Sequence, residues 1–201
     1  MEKYNGVHAG RLAIAIVLAG ATALSACAQG KQDGMQQRMA TPSSGQSGKT
    51  NLSDANIVAL LAIANKGDIE GGQLAETKAS SREVRSYGTR MISDHGSMLR
   101  QGTQLSKQLM INPVQPAQGQ QMQSEHEKSM EALRKKSGEQ FDRAYIEHEI
   151  QMHQKVIGLV EQATKEANNP QLRMLLEQSR PALQDHLEQA QNVKRSLVAS
   201  R

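Results

Sequence analysis

An all-α four-helix bundle is the fold that this sequence predicts, and three observations lead there. Aromatic residues make up only 2% of the 201 residues (three Tyr, one Phe, no Trp), so the core is aliphatic and a β-sandwich, whose strands favour aromatic and β-branched residues, is disfavoured. From Leu52 almost to the C-terminus, apolar residues recur at alternating spacings of three and four, the signature of a bundle seam. Two tight breaks and one long connection divide that stretch into two antiparallel hairpins joined by a crossover, the arrangement called ferritin-like.

The first segment reads as an address. Lys3 and Arg11 flank a polar start, and Leu12 to Leu24 is a short apolar run, too brief to span a bilayer, which takes about 20 residues, and matching the core of a secretory signal. Leu24-Ser25-Ala26-Cys27 resembles the bacterial lipobox, which implies a lipoprotein signal peptide over 1–26, lipidation of the Cys27 thiol and attachment to a membrane. Ala28 follows the cysteine where Asp signals inner-membrane retention, so in a Gram-negative cell the expectation is an outer-membrane anchor facing the periplasm. Residues 27–52, rich in Gly, Gln, Ser and Lys, read as a flexible tether.

The bundle is expected over 53–199. Ser53-Asp54 starts the first helix, whose pattern runs through Leu60, Ile63, Gly67, Glu70 and Leu74 to about Ala79. After Ser80-Ser81 the second carries Val84, Gly88, Met91, His95, Met98, Gly102, Leu105 and Leu109 inward, and Asn112-Pro113 and Pro116 end it. Gln120 to Lys136 makes a short extra helix within the crossover. The third long helix begins near Glu139 with Phe141, Tyr145, Ile146, Glu149, Ile150, Met152, His153, Val156, Ile157 and Val160 inward. It stops at Asn168-Asn169, and Pro170 suits the first position of the fourth. There the seam is Leu172, Leu176, Ser179, Leu183, His186, Ala190, Val193 and Leu197, with Pro181 inside it. Ala79-Ser-Ser-Arg-Glu-Val-Arg85 parallels Ala167-Asn-Asn-Pro-Gln-Leu-Arg173 across the two hairpin turns, a faint internal repeat.

A single cysteine excludes internal disulfides and every CxxC motif. The 24 basic and 20 acidic residues are interspersed, with no run longer than Arg134-Lys135-Lys136 and few rings for bases to stack on, so no nucleic-acid partner is expected. Nothing in the sequence names a protein partner. No nucleophile–base pair, phosphate loop or hydrolase signature is present, and no activity is assigned.

The informative residues are ionisable groups standing where the period calls for hydrophobes: Glu70, His95, Glu149, His153 and His186. A buried unpaired charge is costly, so such groups meet a partner or a metal. At about 1.5 Å of rise per residue, the helical depths of Glu70, His95, His153 and His186 allow one shared level if the two hairpin turns lie at opposite ends. Imidazoles and carboxylates meeting there suit one divalent metal ion such as iron, zinc, manganese or copper. Hydrogen-bonded His–Glu pairs that only fix helix register are the competing reading, which would leave a metal-free envelope interaction module; a metal-dependent redox or stress-protection enzyme is a third. Tyr145, one turn before Glu149, is placed to hydrogen-bond it. His126 and His148 fall on polar faces, Asp94 and Asp185 are expected to face outward or cap a neighbour, and Met91, Met98, Met152 and Met174 fit as core filling.

Ile69-Glu70, Gly72-Gln-Leu-Ala75, Met91-Ile-Ser-Asp-His95, Phe141-Asp-Arg-Ala-Tyr145, His153 and Leu183-Gln-Asp-His186 together resemble the bacterial domain-of-unknown-function 4142 family over about residues 53–192. The resemblance implies a ferritin-like fold and export, and no established activity. The chain departs from the di-iron ferritin-like proteins, which carry Glu-x-x-His on two helices. Here Ile92 and Leu183 stand three before His95 and His186, so a full di-iron ferroxidase centre is not expected.

Overall fold

The computed structural model describes residues 51–199. The expected signal peptide, Cys27 and the tether up to residue 50 lie outside them. Among the described residues there are five helices and no strand: α1 (Asp54–Lys78), α2 (Arg82–Gln108), α3 (Ala117–Arg134), α4 (Gly138–Glu166) and α5 (Pro170–Ala199). None is long and apolar enough to cross a membrane.

The helix starts follow local chemistry. Ser53 and Asn56 form a reciprocal capping box on α1, and the Ser81 hydroxyl accepts from the Val84 amide on α2, each supplying an acceptor to an otherwise unpaired N–H. Asn169 Oδ1 accepts from Gln171 and Leu172 just where Pro170 opens α5. α4 opens on Gly138, whose φ of +56° suits a residue without a Cβ. α5 continues through Pro181. Leu52, at the end of the expected tether, is buried in the core and donates its N–H to Glu166 Oε2 at 2.7 Å, so the packed structure starts just before Ser53.

Two aspartates hold the hairpin turns at opposite ends of the bundle. Asp142 on α4 accepts from the amides of Ser80 and Ser81 at 3.0 and 2.8 Å. Asp54 on α1 accepts from the amides of Asn168 and Asn169 at 2.8 and 3.0 Å. Arg85 and Arg173 each reach back to the carbonyl six residues earlier, of Ala79 and Ala167. Every member of one turn maps onto the other at a single sequence offset (54 to 142, 79 to 167, 85 to 173), so the repeat seen in the sequence is a structural one.

The core falls into two apolar clusters. One gathers Ile57, Leu60, Val160, Leu172, Leu176 and Leu183 near the α4–α5 turn. The other gathers Val84, Tyr87, Met91, Phe141, Tyr145 and Ala190 near the α1–α2 turn. Apart from Asp142 at the α1–α2 turn, the buried ionisable residues of the long helices fall between the two, at Asp68, His95, Glu149, His153 and His186. α1 and α2 approach closely where glycines face: a Cβ on Gly72 would stand 2.6 Å from the Gly88 carbonyl oxygen, and one on Gly88 would stand 2.8 Å from the Ala75 Cβ. α3 packs on α1 and α4, burying Met130 and Leu133.

Candidate metal centre

Three imidazoles from three helices meet in this polar layer. His95 on α2, His153 on α4 and His186 on α5 are each at most 1% exposed. Their ring centroids lie 5.1 to 5.5 Å apart, and one ring nitrogen from each falls within 4.8 Å of the other two.

Each ring is held by one nitrogen and bare at the other. Asn65 gives its amide N–H to the Leu61 carbonyl at 2.7 Å, which turns its Oδ1 towards His95; it accepts from His95 Nδ1 at 3.0 Å. His153 Nδ1 donates to the Glu149 carbonyl at 2.9 Å. His186 Nε2 donates to Asp94 Oδ2 at 2.9 Å. With those nitrogens protonated, His95 Nε2, His153 Nε2 and His186 Nδ1 carry lone pairs, and these three buried atoms have no hydrogen-bond partner. Anchoring the far nitrogen of a ligating histidine on a carboxylate, amide or carbonyl fixes the tautomer and aims the near nitrogen at an ion. Burial keeps the rings neutral: it lowers His95 to about 4 and lowers His153 and His186, the last against the hydrogen bond to Asp94. Neutral imidazole is the form that ligates metal.

Two carboxylates adjoin the triad. Asp68 and Glu149 are 3% and 1% exposed, and one oxygen of each lies within 4.8 Å of the other and of a His153 nitrogen. Asp68 Oδ2 is 3.4 Å from His95 Nδ1, and Glu149 Oε2 is 3.6 Å from His153 Nδ1. Loss of hydration raises both acids, and the neighbouring Asp68 charge raises Glu149 further. Gly71 makes room here, since a Cβ on it would stand 3.1 Å from Glu149 Oε1.

The structure brings together His95, His153, His186 and Glu149, and it does not bring Glu70. Glu70 is half-exposed on the side of α1 that meets α3, where it accepts from His126 Nε2 at 3.0 Å and pairs with Arg134. The reason is register. α1 touches α2, α3 and α4, so it buries most of its circumference, and an apolar period selects only one of its faces. The stripe that meets the triad is Leu61-Asn65-Asp68-Gly72-Ala75, one face round from the expected Gly67-Glu70-Leu74 set. Its spacing of four and three was present in the sequence, with small residues marking the close α2 contact.

Other expectations shift as well. Asp94 is not merely outward: besides anchoring His186 it pairs with Arg90, which also reaches Asp185 and Gln189 on α5. Tyr145 is fully buried, stacked on Phe141 at 5.8 Å, and its hydroxyl faces Glu149, where a side-chain hydrogen bond lowers the acid against the effect of burial, although the contact falls short of ideal hydrogen-bond geometry. Met91 is core, whereas Met174 is 52% exposed, two residues off the Leu172–Leu176 stripe. His126 and His148 lie 6.4 Å apart, outside the triad. A largely apolar cavity of about 650 Å³ opens between α2 and α5, lined by Met98, Leu99, Leu176 and Leu183, with His95 and Asn65 on its wall.

Comparison with known proteins follows this geometry. The family model "Domain of unknown function (DUF4142)" matches residues 39–193, and the chain belongs to that family. No curated protein sequence matches it. Among solved structures, CopM in its Cu(II)-bound form is similar at TM-score 0.59 and 16% identity, over 73% of this chain and 98% of that one. CopM in an Ag-bound form gives 0.57 and 14%, over 72% and 97%. A DUF305 protein from Streptomyces coelicolor, described as secreted, gives 0.62 and 9%, over 72% and 93%. At these identities the likeness is one of fold.

Proposed function

We propose that this chain is an envelope-tethered metal-binding bundle that holds one copper ion on His95 Nε2, His153 Nε2 and His186 Nδ1. The observation that carries the reading is the set of three bare, buried nitrogens, each opposite a nitrogen already committed to Asn65, the Glu149 carbonyl or Asp94. A pairing that served helix register alone would satisfy those atoms within the protein, because an unmet buried polar atom costs about 1–3 kcal/mol. An all-imidazole donor set suits copper and zinc, and copper(II) leads the divalent affinity order. The CopM fold likeness bears on the same metal. The thioether of Met98 lines the cavity that reaches His95, which gives a copper ion a soft, apolar approach.

Within this reading the chain's own residues have distinct tasks. The three imidazoles ligate; Asn65 and Asp94 fix ring orientation; Asp94 and Asp68 offset positive charge; and the two apolar clusters exclude water from the layer between them. Lipidation at Cys27 would hold the bundle at the membrane surface, most simply the outer membrane facing the periplasm.

The deciding experiment is a copper titration of metal-stripped, untagged mature protein. Wild type takes up about one equivalent, and His95→Ala and His186→Ala each lower affinity by about 100-fold or more. Less than about 0.1 equivalents in wild type, with an unchanged melting temperature, overturns the reading in favour of structural pairing; a preference for zinc over copper overturns the choice of metal. For the tether, Cys27→Ser releases the protein into the soluble fraction, and a variant that is processed normally and stays membrane-bound counts against lipidation.

A further inference from the structure

Beside the triad lies a second donor set to which the copper reading gives no ligand role. We infer that Asp68 and Glu149, with a nitrogen of His153, form an oxygen-rich subsite for a hard divalent cation of the Mn²⁺ type. It shares His153 with the imidazole triad, and because His153 Nδ1 is committed to the Glu149 carbonyl the two ions compete for that residue, so each metal is tested alone.

The geometry carries the inference. One ligand atom from each of the three residues lies within 4.8 Å of the other two, a spacing that one ion can bridge with bonds of about 2.1–2.5 Å. Glu149 is 1% exposed and its Oε2 has no hydrogen-bond partner. The Tyr87 hydroxyl is likewise buried and unpartnered. Among the described residues the ion-pair partners of these carboxylates are His95 and His153 alone, with no Lys or Arg within reach. Two buried acids without a fixed cation are costly, and a divalent ion neutralises both at once.

The donor chemistry sets the class of ion. Carboxylate oxygens with a single imidazole suit manganese and other hard or borderline divalent ions, whereas the all-nitrogen triad next to them suits copper. Gly71 fits the same picture, since any Cβ there would crowd Glu149 Oε1 at 3.1 Å.

The test uses full mature protein, stripped of metal, with Mn²⁺ alone as the probe and free Mn²⁺ read by electron paramagnetic resonance. Wild type is expected to take up about one equivalent at sub-millimolar Mn²⁺ and to melt at higher temperature for it. His186→Ala, which removes a triad ligand only, keeps this binding; Asp68→Asn and the near-isosteric Glu149→Gln each weaken it by about tenfold or more. No Mn²⁺ uptake and no melting shift in wild type at about 1 mM overturns the inference, as does unchanged uptake in folded Glu149→Gln. Because copper reports the triad and manganese reports the carboxylates, failure of one reading leaves the other result standing.

Discussion

Asp94 on α2 accepts a hydrogen bond from His186 Nε2 on α5 at 2.9 Å, and the same carboxylate oxygen takes the Arg90 Nε at 3.1 Å. One half-exposed acid therefore sets the tautomer of a fully buried ring and ties that ring to a guanidinium that itself grips Asp185. If this contact aims the bare Nδ1, then Asp94→Ala lowers copper affinity by about 10–100-fold while every ligand remains in place. Competition against a chelator of known affinity reads the change. An affinity equal to wild type would show that Asp94 serves only the surface network.

Acid resistance of the centre follows from burial. Protons compete for an imidazole only below its folded pKa, and His95 is lowered to about 4 from the ordinary 6.5. Between pH 7 and pH 5 copper affinity should therefore fall by less than about tenfold, where three ordinary imidazoles would lose several orders of magnitude. Titrations at both pH values decide it, and a steep loss centred near pH 6.5 would mean that the rings protonate freely.

The metal-free protein should gain stability from Glu149→Gln, more at high pH than at low. Folding raises the Glu149 pKa well above 4.5. The unfolded chain therefore gives up this proton near pH 4.5 while the folded one keeps it, so stability is full below that value and is lost as pH rises towards the folded pKa. Gln has no such penalty. Its advantage in melting temperature should be small at pH 5 and larger at pH 8, and an equal or reversed difference would contradict the assigned direction.

Glycines at similar helical positions should respond in opposite ways. Gly72→Ala drives a Cβ to 2.6 Å from the Gly88 carbonyl, which α1 and α2 can relieve only by moving apart, at about 2 kcal/mol or more. Gly158→Ala on α4 meets nothing within 4 Å and should gain about 0.5–1 kcal/mol of helix propensity. Denaturant melts of the two variants, read against wild type, give both signs.

Asp142→Ala should cost about 2–4 kcal/mol, since it removes the acceptor of two backbone amides at the α1–α2 turn. Asp54→Ala at the mirrored turn should cost a comparable amount, and a much smaller loss at either position would mean water replaces the carboxylate there.

The five helices, both hairpin turns and the crossover were legible because each rests on local signals: Ser53 and Ser81 as caps, Pro170 as an opener, and apolar spacing over long stretches. His95, His153, His186 and Glu149 were legible as polar breaks in single-faced helices. α1 was harder. Packed by three neighbours, it has no single inward stripe, so Glu70 looked buried and Asn65 and Asp68 did not. Asp94 was hidden for another reason, since its role depends on a contact 92 residues away in the chain that no local pattern encodes. The bare ring nitrogens and the paired buried carboxylates could be seen only once side-chain partners were known.

The three imidazoles are divided unequally between the hairpins: α2 supplies one, α4 and α5 supply two, and the anchoring Asn65 and Asp94 sit on the α1–α2 side. Neither half of the chain can assemble the set alone. An ion seated there would act as a clasp between them, fastening the first hairpin to the second through the rings of His95, His153 and His186.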